Sequence, residues 1–225
     1  MEQGNILTLK QVDTLIDNTS KLGAEYDKKN IALLFKIMYH GMLTVSEVVG
    51  LTAMDIDYQK KEIKVRAKGG KPTTATFSSP SLWKEIVTHI KDLQPNQKLF
   101  PISRQMVWWH AKKLGELSEI KMSHLTKVSS NVYNNVIRYS RKYHLDNSGL
   151  FKESELDQLS RNFNALRGRG FGEYPYSMDS LKRKEEEANK ILLTYCESCN
   201  YKNPDIAIFC CLCSKSLSEG KSIIK

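Results

Sequence analysis

Apolar residues recur at helical spacing along most of this chain, and the period breaks once in favour of alternation. Across Leu7–Ser20, Val12, Leu15 and Ile16 share one helical face, and Thr8 stands where an N-cap belongs. Lys28–Tyr39 carries a broader stripe of Ile31, Leu33, Leu34, Ile37 and Met38. After His40-Gly41, Thr44-Val45-Ser46-Glu47 reads as a cap followed by a short helix ending near Gly50. The period then shifts to two. Glu62–Arg66 and Thr74–Phe77 alternate polar and apolar residues around Lys68-Gly69-Gly70-Lys71, predicting a β-hairpin with a basic turn. Helical spacing resumes over Ser81–Leu93, Ser103–Leu117, Val128–Lys142 and Lys152–Ala165. Gly168, Gly170, Gly172 and Pro175 then interrupt regular structure, and the charged stretch Ser180–Leu193 is expected as a solvated helical linker.

The pattern predicts an α+β fold: a mainly helical domain over residues 1–180 with one small antiparallel sheet. A helical linker over 181–193 and a short module over 194–218 follow. At 225 residues and 40% hydrophobic content the chain is long and apolar enough for a packed core. No apolar run reaches the roughly 20 residues needed to span a bilayer, and the first residues lack a signal-peptide pattern, so a cytoplasmic protein without membrane contact is expected. The excess of 34 Lys+Arg over 25 Asp+Glu, a formal charge of +9, favours a polyanionic partner.

The terminal module carries the sharpest chemical signal. All 5 cysteines lie between positions 196 and 213. Cys196-x-x-Cys199 and Cys210-x-x-Cys213 form two knuckles, each aiming two thiolates at one point, and together they make a tetrahedral zinc site. Cys211 falls outside this spacing. Four thiolates leave no open coordination position, so the expected zinc is structural. The Asn-Pro-Asp turn and the Phe before the second pair resemble the short zinc ribbons that end many archaeal proteins.

Gly41-Met42-Leu43-Thr44-Val45-Ser46-Glu47-Val48-Val49-Gly50-Leu51 resembles the first signature of the tyrosine recombinases, the phage-integrase family, written Thr-Gly-Leu-Arg-Ile-Ser-Glu-Leu-Leu-Gly-Leu. The Ile63-Lys64-Val65 strand, the Lys68-Gly69-Gly70-Lys71 turn and Leu99-Phe100-Pro101-Ile102-Ser103-Arg104 before a helix are similar to the same family. The resemblance spans residues 5–180 and implies a catalytic-type domain that grips duplex DNA. Archaeal members often carry a terminal zinc ribbon.

Enzymes of that family cut DNA by attack of a tyrosine on phosphorus, with two arginines, a histidine and a lysine managing charge and protons. Paired guanidinium donors suit the extra negative charge of the phosphorane. Here the resemblance places Thr44 at the first arginine and Lys68 at the hairpin lysine. The second signature, His-x-Leu-Arg-His, has its counterpart at Met122–Val128. There His124 matches the first histidine, Lys127 replaces the arginine and Val128 replaces the closing histidine. Tyr-Pro-Tyr-Ser-Met-Asp is similar to the family's Tyr-x-His-x-Ser stretch and leaves Tyr174 and Tyr176 as alternative nucleophiles.

Lysine is not equivalent to arginine at a bidentate phosphate site, and threonine carries no charge. The expectation is therefore a DNA-binding relative with a degenerate, non-cutting site, acting as an accessory or regulatory factor. Lys68, Lys71, Arg104, Lys127, Arg167 and Arg169 are the expected DNA contacts. Arg161, beside Arg167 and Arg169, either tracks phosphate or belongs to a basic loop. Two other readings stay open: an active recombinase, and an adaptor whose ribbon captures a protein partner. Whether several copies assemble on DNA is also open.

Overall fold

The computed structural model of the chain describes residues 6–23, 25–66, 72–120, 131–161 and 175–192, together with Cys196 and Lys215. Thr8 caps the first helix, α1 (Leu9–Asp17), through a reciprocal pair: its hydroxyl accepts from the Gln11 N–H, and the Gln11 side chain accepts from the Thr8 N–H. α2 (Glu25–His40) follows and supplies Ile31, Leu33, Leu34, Phe35, Ile37, Met38 and Tyr39 to the core. It is the central helix, packing against α1 and, further along the chain, against α4 and α6.

A tight turn at Gly41-Met42 leads into α3 (Val45–Val48). A Cβ at Gly41 would stand 2.9 Å from the Ile37 carbonyl oxygen and 2.3 Å from Leu43 Cδ1, so only glycine fits the close approach. Met42 adopts φ 48, a left-handed conformation that a side chain disfavours. Its side chain is nevertheless buried.

The sheet has three antiparallel strands in the order β1 (Ile56–Asp57), β2 (Glu62–Arg66), β3 (Pro72–Thr76). Ile63 pairs with Ala75 and Val65 with Thr73, which sends Ile63, Val65 and Ala75 into the core, as the alternation predicts. The short β1 is a strand that the alternation alone did not mark. The basic hairpin turn lies outside the described residues.

Pro80 opens α4 (Pro80–Ile90) behind the Ser79 cap, and Ser103 caps α5 (Arg104–Leu117). α6 (Asn131–Asn147) runs beyond the Lys142 end that the pattern suggests, through His144. α7 (Glu153–Leu159) is shorter than expected: the chain turns at Ser160, and Arg161 has φ 55. α8 (Met178–Leu192) is the charged helix expected as a solvated linker, and it is instead part of the folded body. Leu181, Glu185, Ala188 and Asn189 are buried, at the i, i+4, i+7, i+8 spacing of one helical face. The run Lys182–Glu187 hides that face because one of its buried positions is itself an acid. Leu181 and Ala188 join Met42, Leu145, Phe151, Leu156 and Leu159 in a second apolar cluster beside the main core.

Candidate functional site

The Gly41–Glu47 turn, the end of α7 and the middle of α6 meet at one polar corner. Thr44 caps α3 with a reciprocal pair: its N–H donates to Glu47 Oε2 at 2.6 Å, and its hydroxyl accepts from the Glu47 N–H at 3.3 Å. The Thr44 side chain is thus engaged in local structure.

Arg161 reaches this turn from 120 residues away. Its Nε donates to Glu47 Oε1 at 3.4 Å, and one Nη2 hydrogen goes to Glu47 Oε2 at 3.3 Å. The other Nη2 hydrogen goes to the Met42 carbonyl at 2.7 Å, while Nη1 donates to the carbonyls of Gly41 at 3.0 Å and Leu159 at 3.3 Å. A guanidinium has five N–H donors, so every one of them is occupied by protein. The side chain is only 4% exposed. The two residues joined by the shortest of these bonds, Met42 and Arg161, both have positive φ. Strained backbone of this kind persists where surrounding bonds over-determine it.

Arg138 approaches the same corner from α6. Its Nη2 donates to the carbonyl of Ser160, the residue next to Arg161. Its Nε is buried and has no partner among the described residues. Burial lowers the Arg138 pKa, and the like charge of Arg161 lowers it further, while Glu47 acts in the opposite sense. The group stays protonated near neutrality all the same. For Glu47, burial alone would raise the carboxyl. The Arg161 charge and the hydrogen bonds from Thr44 and Arg161 outweigh that, and hold it below the ordinary carboxylate range. The corner therefore holds two guanidinium groups and one carboxylate, and Arg161 holds the carboxylate by both oxygens.

Of the residues expected from sequence, Lys68, Lys71, His124, Lys127, Arg167, Arg169, Tyr174, Cys199, Cys210 and Cys213 lie outside the described residues. Arg104 is exposed in the first turn of α5. On the same helix Trp109 is 44% exposed with Lys113 Nζ 4.9 Å from its ring centroid, whereas Trp108 packs against the core. Tyr176 is half-buried; its hydroxyl shares a 2.6 Å hydrogen bond with Ser154 Oγ. Gln158 accepts from the Tyr176 N–H at 3.0 Å and donates to its carbonyl at 2.7 Å. Cys196 is buried just beyond α8.

Arg138 is the residue that sequence reasoning passed over. Asn135-Val136-Ile137-Arg138-Tyr139 keeps an apolar residue before an arginine, the Leu-Arg order of the second signature, with Asn and Tyr at the flanking positions. Arg161 was legible only as one of three basic residues among glycines.

The model of the phage integrase family matches residues 5–150. The chain is similar in structure to the integrase from mycobacterium phage Brujita (TM-score 0.56, 13% identity, covering 81% of this chain and 56% of that one). It is also similar to the XerA recombinase (TM-score 0.54, 17% identity, covering 81% of this chain and 64% of that one). The chain thus spans somewhat over half the length of these two proteins. No curated protein matches it.

Proposed function

From membership of the phage integrase family, to which this chain belongs, we propose that it binds duplex DNA without cutting it efficiently. The observation that carries this reading is the asymmetry of the polar corner. Arg161 is saturated by protein acceptors, Thr44 holds no charge, and Arg138, only partly buried, bonds a single carbonyl, that of Ser160, among the described residues. One guanidinium suffices to bind a phosphate. Charge developing on a phosphorane calls for several positioned donors, and losing one removes on the order of 10²–10³ in rate. In this reading Arg138 supplies the second signature's arginine, and Lys68, Lys71, Arg104, Lys127, Arg167 and Arg169 add phosphate contacts.

Cys196, Cys199, Cys210 and Cys213 are proposed to hold a structural zinc; the donor set of four thiolates fits that ion, and Cys196 is buried. Such a module offers a docking surface for a protein partner.

The reading is tested by titrating salt over duplex binding, then running the same mixtures on denaturing gels. Affinity should fall steeply between about 50 and about 200 mM salt, with no covalent adduct. Salt-independent affinity or absent binding contradicts DNA binding. An adduct on a nicked substrate, lost in Tyr174→Phe or Tyr176→Phe, makes the protein a working recombinase and overturns the non-cutting half. The tie between the Tyr176 hydroxyl and Ser154 favours Tyr174 in that event.

A further inference from the structure

Arg138 and Glu47 face the same corner, so the natural partner of the Arg138 charge is the Glu47 carboxylate. A pair of that kind would cancel the positive charge and fill the carboxylate-facing donors, leaving nothing for a phosphate. Arg161 intervenes. It binds both Glu47 oxygens, and it reaches them from a loop whose preceding carbonyl, that of Ser160, holds Arg138 Nη2. The Arg161 side chain makes no solvent-facing bond of its own: three of its five donors anchor to the carbonyls of Gly41, Met42 and Leu159.

We propose that Arg161 is a positioning residue: it holds the Glu47 carboxylate away from Arg138 and thereby keeps the Arg138 guanidinium free for DNA phosphate. The proposal rests on the reading that this chain binds duplex DNA. It assigns Arg161 a role that a basic residue in a glycine-rich stretch would not suggest, since Arg161 never touches the ligand. Its contribution is electrostatic accounting at a corner with two cations and one anion. Remove Arg161, and Glu47 turns to Arg138.

The test is the slope of log affinity against log salt for the full chain on a short mixed-sequence duplex, with circular dichroism to confirm folding. Arg161→Met should lower affinity about tenfold and make the slope shallower by about one, the signature of one lost phosphate contact. Adding Glu47→Gln to Arg161→Met should restore the slope, because the competing carboxylate is gone. A merely structural role for Arg161 predicts no such rescue, since the second change removes a further hydrogen-bond acceptor. Arg161→Lys keeps the charge beside Glu47 and should keep the wild-type slope.

A folded Arg161→Met with an unchanged slope, or a folded double variant that fails to recover it, overturns the proposal. If Arg161→Met does not fold, the double variant and Arg161→Lys decide, and a shallow slope in either is contrary to it. Arg138→Met in the wild-type background separates the two levels. If that variant keeps the full slope, the phosphate-binding reading of Arg138 fails first; if it loses about one and Arg161→Met does not, only the positioning role fails.

Discussion

Arg138 and Arg141 stand three residues apart on α6, yet the fold treats them in opposite ways. Arg141 is fully buried and donates to Glu185 Oε1 at 2.6 Å and Asn189 Oδ1 at 2.8 Å, both on α8. It also lies 5.3 Å from the ring centroid of Tyr39, which burial pushes up to a pKa of about 12. Arg138 has one backbone carbonyl and a neighbouring carboxylate already claimed by Arg161, while buried guanidinium nitrogens without a partner among the described residues occur in both arginines. An arginine with its own acid holds helices together. An arginine whose neighbouring acid is held by a second arginine remains available for a ligand. The contrast lies in the acids, not in the arginines.

Breaking the interior pair should give the largest effect. Arg141→Met leaves Glu185 buried without its cation and should cost about 3–5 kcal/mol of stability in chemical denaturation. Adding Glu185→Met should recover much of that loss, since no uncompensated charge then remains. A single variant as stable as wild type would deny the pair its role in docking α8. Next in size, Gly41→Ala forces a methyl against the Ile37 carbonyl and Leu43, and should cost about 1–3 kcal/mol by thermal or chemical denaturation. It also disturbs one of the carbonyls that anchors Arg161, so weaker duplex binding should accompany the loss. Arg138→Met belongs to the other region and should invert the balance. Stability should change by about 1 kcal/mol, for one hydrogen bond, while duplex affinity drops about tenfold.

The pH dependence of stability sharpens the interior side. His144 sits between the Tyr39 hydroxyl at 2.7 Å and the Leu7 carbonyl at 2.9 Å. Burial first, then the Arg141 charge, lowers its pKa to about 3. It is folded neutral and takes up a proton only on unfolding, so its contribution is present above the unfolded value of 6.5 and is lost as pH falls toward about 3. His40, depressed by burial and by Arg141, acts in the same sense, whereas Glu185, whose carboxyl burial raises against the opposing pull of Arg141, acts in the opposite sense. His144→Gln should therefore flatten the decline of stability between pH 6.5 and 5 by about 1.4 kcal/mol per pH unit, one proton's worth. An unchanged pH slope would mean that His144 does not titrate in this way.

The short-range features were legible in the sequence, and the long-range ones were not. The caps at Thr8 and Thr44 involve partners three residues away, and the alternation at Ile63 and Val65 reports its own burial. α8 was misread because its inward face carries Glu185 and Asn189, whose partners Arg141 and Ser78 are remote in sequence. The candidate corner was harder still. The resemblance to the first signature implies Thr44 at an arginine's place, but nothing local says that Arg161 crosses to Glu47, 114 residues back. Arg138 sits in a helix crowded with Asn, Tyr, Arg and Lys, where no periodicity singles it out.

The most direct test is the salt dependence of duplex binding for wild type beside Arg138→Met, with a denaturing gel of each mixture. The account predicts a steep wild-type slope, a loss of about one from that slope in the variant, and no covalent adduct in either. An identical slope in the two proteins, or an adduct formed by wild type and abolished in the variant, would contradict it.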